Sequence, residues 1–233
     1  MSEITAKTGV SLPCWSCSAV AESPLFCPAC RRIQPLVAGV DYFTMFGLPR
    51  KLGIDTAELE QRFHQQSWKL HPDNFVKASD FEREVSLERS AQMNDAYRTL
   101  RDPVRRVEYL LALEGMRKEG EHKQQAPPEL LEEVFELNES LDELRSARSR
   151  AAGSGELAAL QQRLAAAERS FEEKLSAVDA ELEGVSSQWD AALDVGADDA
   201  ARKKLMTGMN DILNRRSYIR NLVQNVQKEL TEA

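Results

Sequence analysis

The chain has 233 residues, of which 42% are hydrophobic and 29% charged, a composition that suits one large or two to three small soluble domains. No apolar run reaches the roughly eighteen residues a membrane span needs. The first forty residues have neither a secretory h-region nor the Arg-rich, acid-free face of a transit peptide, so a cytoplasmic protein with no membrane partner is expected.

The net charge of −8 and pI of 5.1 argue against a general nucleic-acid binder. Aromatics are only 6%, and the abundance of Ala, Leu, Glu, Gln and Arg favours helix over sheet. Charge and sequence texture change together at the same boundaries. Residues 129–233 hold thirteen Lys/Arg against twenty-one Asp/Glu, which accounts for the whole deficit. The expected organisation is a cysteine segment (1–40), a helical domain (41–116), a linker (117–128) ending in Pro127-Pro128, and an acidic helical domain (129–233).

All four cysteines fall in the first segment, as Cys14-Trp-Ser-Cys17 and Cys27-Pro-Ala-Cys30. Two C-x-x-C knuckles can place four thiolates tetrahedrally around one structural zinc, a closed site with no position for a catalytic water. The segment has too few apolar residues for a core, so metal binding is expected to supply its folding energy. Two disulfides and a redox C-x-x-C are the alternatives. A reducing compartment and the lack of a βαβ pattern weigh against them. Arg31 and Arg32 come directly after the last cysteine and read more readily as a solvated face than as a nucleic-acid patch.

Helix punctuation is clear from Asp41 onward. Asp41 is expected to cap a short helix, Tyr42 to Phe46, closed by Gly47 and Pro49. Asp55 and Glu58 read as a capping box for a second helix, with Leu59, Phe63 and Leu70 on one face. Pro72 disfavours helical geometry at His71, so that helix should stop near Leu70. Ser79 and Glu82 form another box, opening a third helix to about Leu100 whose apolar side includes Val85, Met93, Ala96 and Tyr97. Asp102, followed by Pro103, caps a fourth.

His71-Pro72-Asp73 thus lies in a loop between two long helices. The tripeptide alone is weak evidence, since all three are ordinary helix-stop residues. In this helix order the segment resembles a J domain, the module that stimulates ATP hydrolysis by DnaK-type heat-shock chaperones. The run from Asp41 to Pro49, the run from Ser90 to Arg101, and Pro103, Arg106, Glu108-Tyr109-Leu110-Leu111 and Gly115 narrow the likeness. They resemble the HscB (Jac-type) iron–sulfur co-chaperone family, whose partners are an HscA-type chaperone and the IscU cluster scaffold. The likeness covers residues 41–233, and the four-cysteine extension resembles that of a subset of the family. It implies that His71, Pro72 and Asp73 meet the chaperone, while Arg62 and Lys69 can add electrostatic steering. Many J domains have Tyr before the tripeptide where this chain has Leu70, and its second helix is less basic than usual.

Beyond the linker lie three long patterns. Leu130, Val134, Leu137, Leu141 and Leu144 keep four-three spacing. Leu157 to Trp189 does nearly the same over about 50 Å, and Leu205, Met209, Ile212, Ile219, Val223, Val226 and Leu230 continue it, with Arg216 the exception. An elongated antiparallel three-helix bundle is expected. On its first helix Leu131 and Phe135 lie about 100–140° from the seam, bordered by Glu132, Glu136, Glu139 and Glu143. Residues 129–143 contain seven acids and no base. This face suits either a docked partner with apolar and basic residues or packing beneath the preceding domain beside a solvated acidic strip. The family resemblance implies scaffold binding at Leu131, Phe135, Glu136, Glu139 and Glu143, and matches an aromatic on the last helix to Tyr218. Glu132 stands where the family is often apolar.

The expected fold class is all-α: a J domain and an elongated C-terminal three-helix bundle, preceded by a small zinc-binding segment. The expected function is a non-enzymatic co-chaperone. There is no paired acid and base, no Walker A loop and no Ser/His/Asp arrangement with supporting context. A J-domain protein for other clients and a zinc-dependent nucleic-acid module are the alternatives.

Overall fold

The computed structural model describes residues 12–21, 25–35, 39–117, 127–151 and 153–231. Residues 118–126 of the expected linker lie outside them. Backbone contacts divide the chain into two units, Met1–Glu114 and Gly115–Ala233.

In the first unit, side-chain caps set the helix starts. Asp41 accepts from the Thr44 amide and opens α1 (Tyr42–Met45), one residue shorter than expected. Asp55 accepts from Ala57 and Glu58 amides and opens α2 (Thr56–Leu70). The reciprocal half of the expected box gives way to an ion pair, because Glu58 bonds Arg62 one turn on at 2.6 Å. Ser79 and Glu82 close a full capping box on α3 (Asp80–Arg101), and Asp102 caps α4 (Pro103–Leu113). Gly47 turns the chain at φ +64°, a left-handed conformation that side chains with a Cβ avoid. The Leu70 carbonyl meets Ser86 and Ser90, and Phe63 stacks on Tyr97, so α2 and α3 run antiparallel. Leu59, Leu70, Met93, Ala96 and Leu100 between them are fully buried, with Phe43 and Phe46 of the α1 region.

The cysteine segment departs from expectation in two ways. It contains two short strands, β1 (Leu12–Pro13) and β2 (Val20–Ala21), paired antiparallel around the first knuckle, and a Phe26–Ile33 bridge around the second. Its few apolar residues also do not stand alone. Leu25 and Ile33, 7% and 1% exposed, belong to the same core as α1, α2 and α3.

In the second unit, a 3-10 turn (Pro128–Leu130) leads into α5 (Leu131–Ser149), α6 (Ser154–Asp194) and α7 (Asp199–Thr231). The 41 residues of α6 make it about 60 Å long, so the bundle is elongated. Ion pairs between Glu133 and Lys174 and between Glu143 and Arg163 align α5 antiparallel to α6. Pairs from Asp179 to Arg216 and Glu181 to Arg215 align α6 antiparallel to α7. The α5 seam is buried throughout. On α6, Leu164, Phe171, Val178, Leu182 and Trp189 are buried, while Leu157, Leu160, Leu175 and Val185 are half-buried. The buried stripe of α7 is wider than expected, adding Met206, Leu213 and Leu222. Arg216 fits because its guanidinium pairs with Asp179 at 2.5 Å. Arg117, 8% exposed, bonds Asn210 and Asn214 of α7.

Candidate functional site

The four cysteine sulfurs lie within 4.8 Å of one another. Cys14 and Cys30 sulfurs are 3.6 Å apart, and those of Cys17 and Cys27 are 3.7 Å apart. Thiolates at about 2.3 Å from a tetrahedral zinc would be about 3.8 Å apart, so the set fits a single ion. The separations far exceed a disulfide bond, and all four thiols are free. The knuckles share one backbone design. Cys14 accepts from the Ser18 amide and Cys27 from the Arg31 amide, with Ser18 and Arg31 at φ 60° and 61°. Burial opposes ionisation of Cys14, but the Ser16 and Cys17 amides and the neighbouring Cys30 and Cys27 thiols outweigh it and bring its pKa down to about 6. The Gln34 side-chain amide donates to the same sulfur at 3.4 Å. Such N–H donors suit a thiolate ligand.

The second candidate is the turn after α2. Pro72 holds His71 extended, at φ −56° and ψ 131°, and begins a 3-10 turn over Pro72–Phe75. The turn is tied down on both sides. Ser86 and Ser90 hydroxyls donate to the Leu70 carbonyl at 2.6 and 3.0 Å, and the Asn74 amide reaches the Trp68 carbonyl at 2.6 Å. His71 and Asp73 remain 58% and 85% exposed. His71 Nδ1 accepts the Asp73 backbone N–H at 3.3 Å, which directs the imidazole's Nε2 edge to solvent. The turn therefore presents a donor beside a carboxylate on a stiff backbone. Lys69 is exposed next to it. Arg62 is more engaged, donating to the Phe46 and Gly47 carbonyls and to Glu58, so it ties α2 to the end of α1.

Trp68, 77% exposed, is a surface feature that sequence reasoning passed over. Its signal was available, since it lies nine residues after Leu59, about 180° around the helix from the apolar face.

The third candidate is the face of α5 away from its seam. Leu131 and Phe135 are 54% and 67% exposed. Glu132, Glu136, Glu139 and Glu143 are exposed beside them. Glu136, Glu139 and Glu143 border a groove of 310 Å³ against α6, where Arg163 pairs with Glu143. The acidic strip is thus partly neutralised from within the bundle. Tyr218 is half-buried on α7, three residues after Arg215, whose guanidinium lies 3.8 Å from Glu129 in the 3-10 turn before α5.

Two antiparallel helices joined by an exposed His-Pro-Asp turn, followed by an elongated three-helix bundle, define a J-domain co-chaperone. The chain is 37% identical over 155 residues to a co-chaperone protein HscB homolog of Vibrio cholerae serotype O1, spanning 66% of this chain and 86% of the relative. An iron-sulfur cluster co-chaperone protein HscB homolog of Arabidopsis thaliana is 40% identical over 130 residues, or 56% of this chain and 51% of that one. The crystal structure of human co-chaperone protein HscB superposes with a TM-score of 0.62 at 27% identity, covering 94% of this chain and 99% of the human one. HscB from Vibrio cholerae does so with a TM-score of 0.55 at 28% identity, over 82% and 99%. No protein-family model matches. The chain belongs to the HscB co-chaperone family. Among the described residues, no helix is long and apolar enough to cross a membrane.

Proposed function

We propose that the protein is an iron–sulfur cluster co-chaperone that holds an IscU-type scaffold on residues 129–233 and delivers it to a DnaK/HscA-type chaperone. It stimulates that chaperone's ATPase through residues 41–116 and acts in the cytoplasm on the maturation of iron–sulfur proteins. It is an adaptor and does no chemistry on the scaffold itself. The observation that carries this reading is the exposed His71-Pro72-Asp73 turn, held rigid at Leu70 and Asn74, in a chain of the HscB family. A preorganised polar pair loses little entropy on docking, so its interactions go into binding and register. Pro72 keeps the pair in place and Lys69 adds a steering charge. Arg62 contributes mainly by fixing α2 against α1.

Leu131 and Phe135 are the apolar anchors for the scaffold, and Glu136, Glu139 and Glu143 steer a basic partner surface toward them. Tyr218 extends that surface from α7. Cys14, Cys17, Cys27 and Cys30 hold one structural zinc, which when bound cross-links the two knuckles. The acidic charge of the bundle does not favour nucleic acid as a partner.

Chaperone ATP hydrolysis measured with wild-type and His71→Gln protein tests the reading. Wild type should accelerate turnover and His71→Gln should not, with helicity and scaffold affinity retained. Equal stimulation by the variant would contradict the assignment.

A further inference from the structure

Arg89 sits in the middle of α3 and is fully buried, although nothing in the expected function uses it. Its Nε donates to the Gln34 carbonyl at 2.9 Å and its Nη2 to the Pro35 carbonyl at 2.7 Å. Both acceptors belong to the strand of chain that leaves the second cysteine knuckle. Gln34 is itself 5% exposed, and its side-chain amide reaches back to Cys14 Sγ at 3.4 Å and to the Arg32 carbonyl at 2.8 Å. The residues flanking Arg89 on α3, Ser86 and Ser90, are the two whose hydroxyls hold the Leu70 carbonyl, next to His71. Hydrogen bonds therefore run from a cysteine sulfur through Gln34 to Arg89, and the α3 backbone joins Arg89 to the two serines that anchor the His71 turn.

A second contact reaches the same region from outside. Arg32 pairs with Glu82 at 3.2 Å, and Glu82 closes the capping box with Ser79 at the start of α3, just past the turn. The Arg32 guanidinium lies over the Trp15 ring at 5.6 Å, and Trp15 packs edge-on against Phe81 at 4.7 Å. Each of these cysteine-segment residues lies within two positions of a knuckle cysteine, so the geometry of the knuckles places them.

We propose that the four-cysteine segment braces the His71 turn, with Arg89 as the positioning residue that carries the metal state of the knuckles to it. Burial sets the stakes. Desolvation brings the Arg89 pKa down to about 10, so the guanidinium stays charged near neutral pH and needs its acceptors. When the knuckles lose their metal, the Gln34–Pro35 carbonyls are no longer fixed. Arg89 and α3 then readjust, and the Leu70 anchor moves with them. The consequence for chaperone stimulation rests on the reading of His71 as a chaperone contact. The structural coupling does not.

The experiment uses the full chain with its zinc bound, and the same protein after chelation under reducing conditions. Amide hydrogen exchange and the imidazole NMR signals are monitored, the latter simplified by a total of three histidines. Chelation should speed exchange across residues 70–95 by about tenfold or more, leave α6 and α7 unchanged, and shift the His71 imidazole signal. Arg89→Met should retain zinc, and its His71 signal should respond to chelation several-fold less than in wild type, a loss that general destabilisation would not produce. If Arg89→Met does not fold, wild-type chelation decides alone. Faster exchange confined to residues 12–35 with an unmoved His71 signal overturns the proposal, as does a folded Arg89→Met protein that responds to chelation like wild type. Neither readout involves a chaperone, so failure of ATPase stimulation overturns the functional reading and leaves this one standing.

Discussion

The paired substitution Leu131→Ala with Phe135→Ala separates an interface from a core by magnitude. Complete burial of a Leu or Phe side chain contributes about 1.5–3 kcal/mol. With 54% and 67% of these residues still exposed, burying the remainder at a scaffold interface contributes about 3 kcal/mol in total, or about 100-fold in Kd. The same exposures limit what the pair gives to folding. Truncation costs the bundle about 1–2 kcal/mol, of which alanine's helix propensity returns a few tenths. A shift in Tm of about 4–8 °C is expected for a unit of this size. Isothermal titration with scaffold and calorimetric melting of the same double variant measure both quantities. A large fall in Tm with Kd unchanged per folded molecule would refute the reasoning and return both side chains to the core.

Neutralising Glu136, Glu139 and Glu143 to Gln should slow scaffold association by about tenfold at low salt and flatten its salt dependence, as stopped-flow mixing would record. Glu143→Gln alone should do least, because Arg163 already pairs with that carboxylate. Metal analysis of protein purified without chelator should find about one zinc per chain, lost in Cys14→Ser. Metal-free protein with an ordered first segment would contradict the assignment. In that variant the bundle should melt as in wild type, since the cysteine segment belongs to the other compact unit.

What could be read from the sequence was what local chemistry controls. Asp41, Asp55, Ser79 and Asp102 each cap a helix because a short polar side chain before an apolar-periodic run satisfies its own amides. The knuckles were legible because ligand spacing is local. Glu58 shows the limit within a single turn, where two local partners competed and Arg62 won. The two-residue strands carry no periodicity to detect. Arg89 was invisible for a different reason. A charged residue in a helix reads as solvent-facing, and two of the acceptors that make its burial possible are carbonyls 54 and 55 residues away. Leu25 and Ile33 likewise look too sparse for a core until the helices they join are in place. Leu131 and Phe135 lay between these cases, since angle placed them off the seam and only their exposure could say whether a neighbour covers them.

The central claim is that one chain couples scaffold to chaperone through two separate surfaces. Its most direct test is chaperone ATPase rate against scaffold concentration, with wild type and with the Leu131→Ala, Phe135→Ala variant. Wild type should stimulate without scaffold and rise further as scaffold is added. The variant should keep the scaffold-free rate and need about 100-fold more scaffold to reach the same increase. A variant that tracks the wild-type curve, or one that loses scaffold-free stimulation as well, would contradict the account.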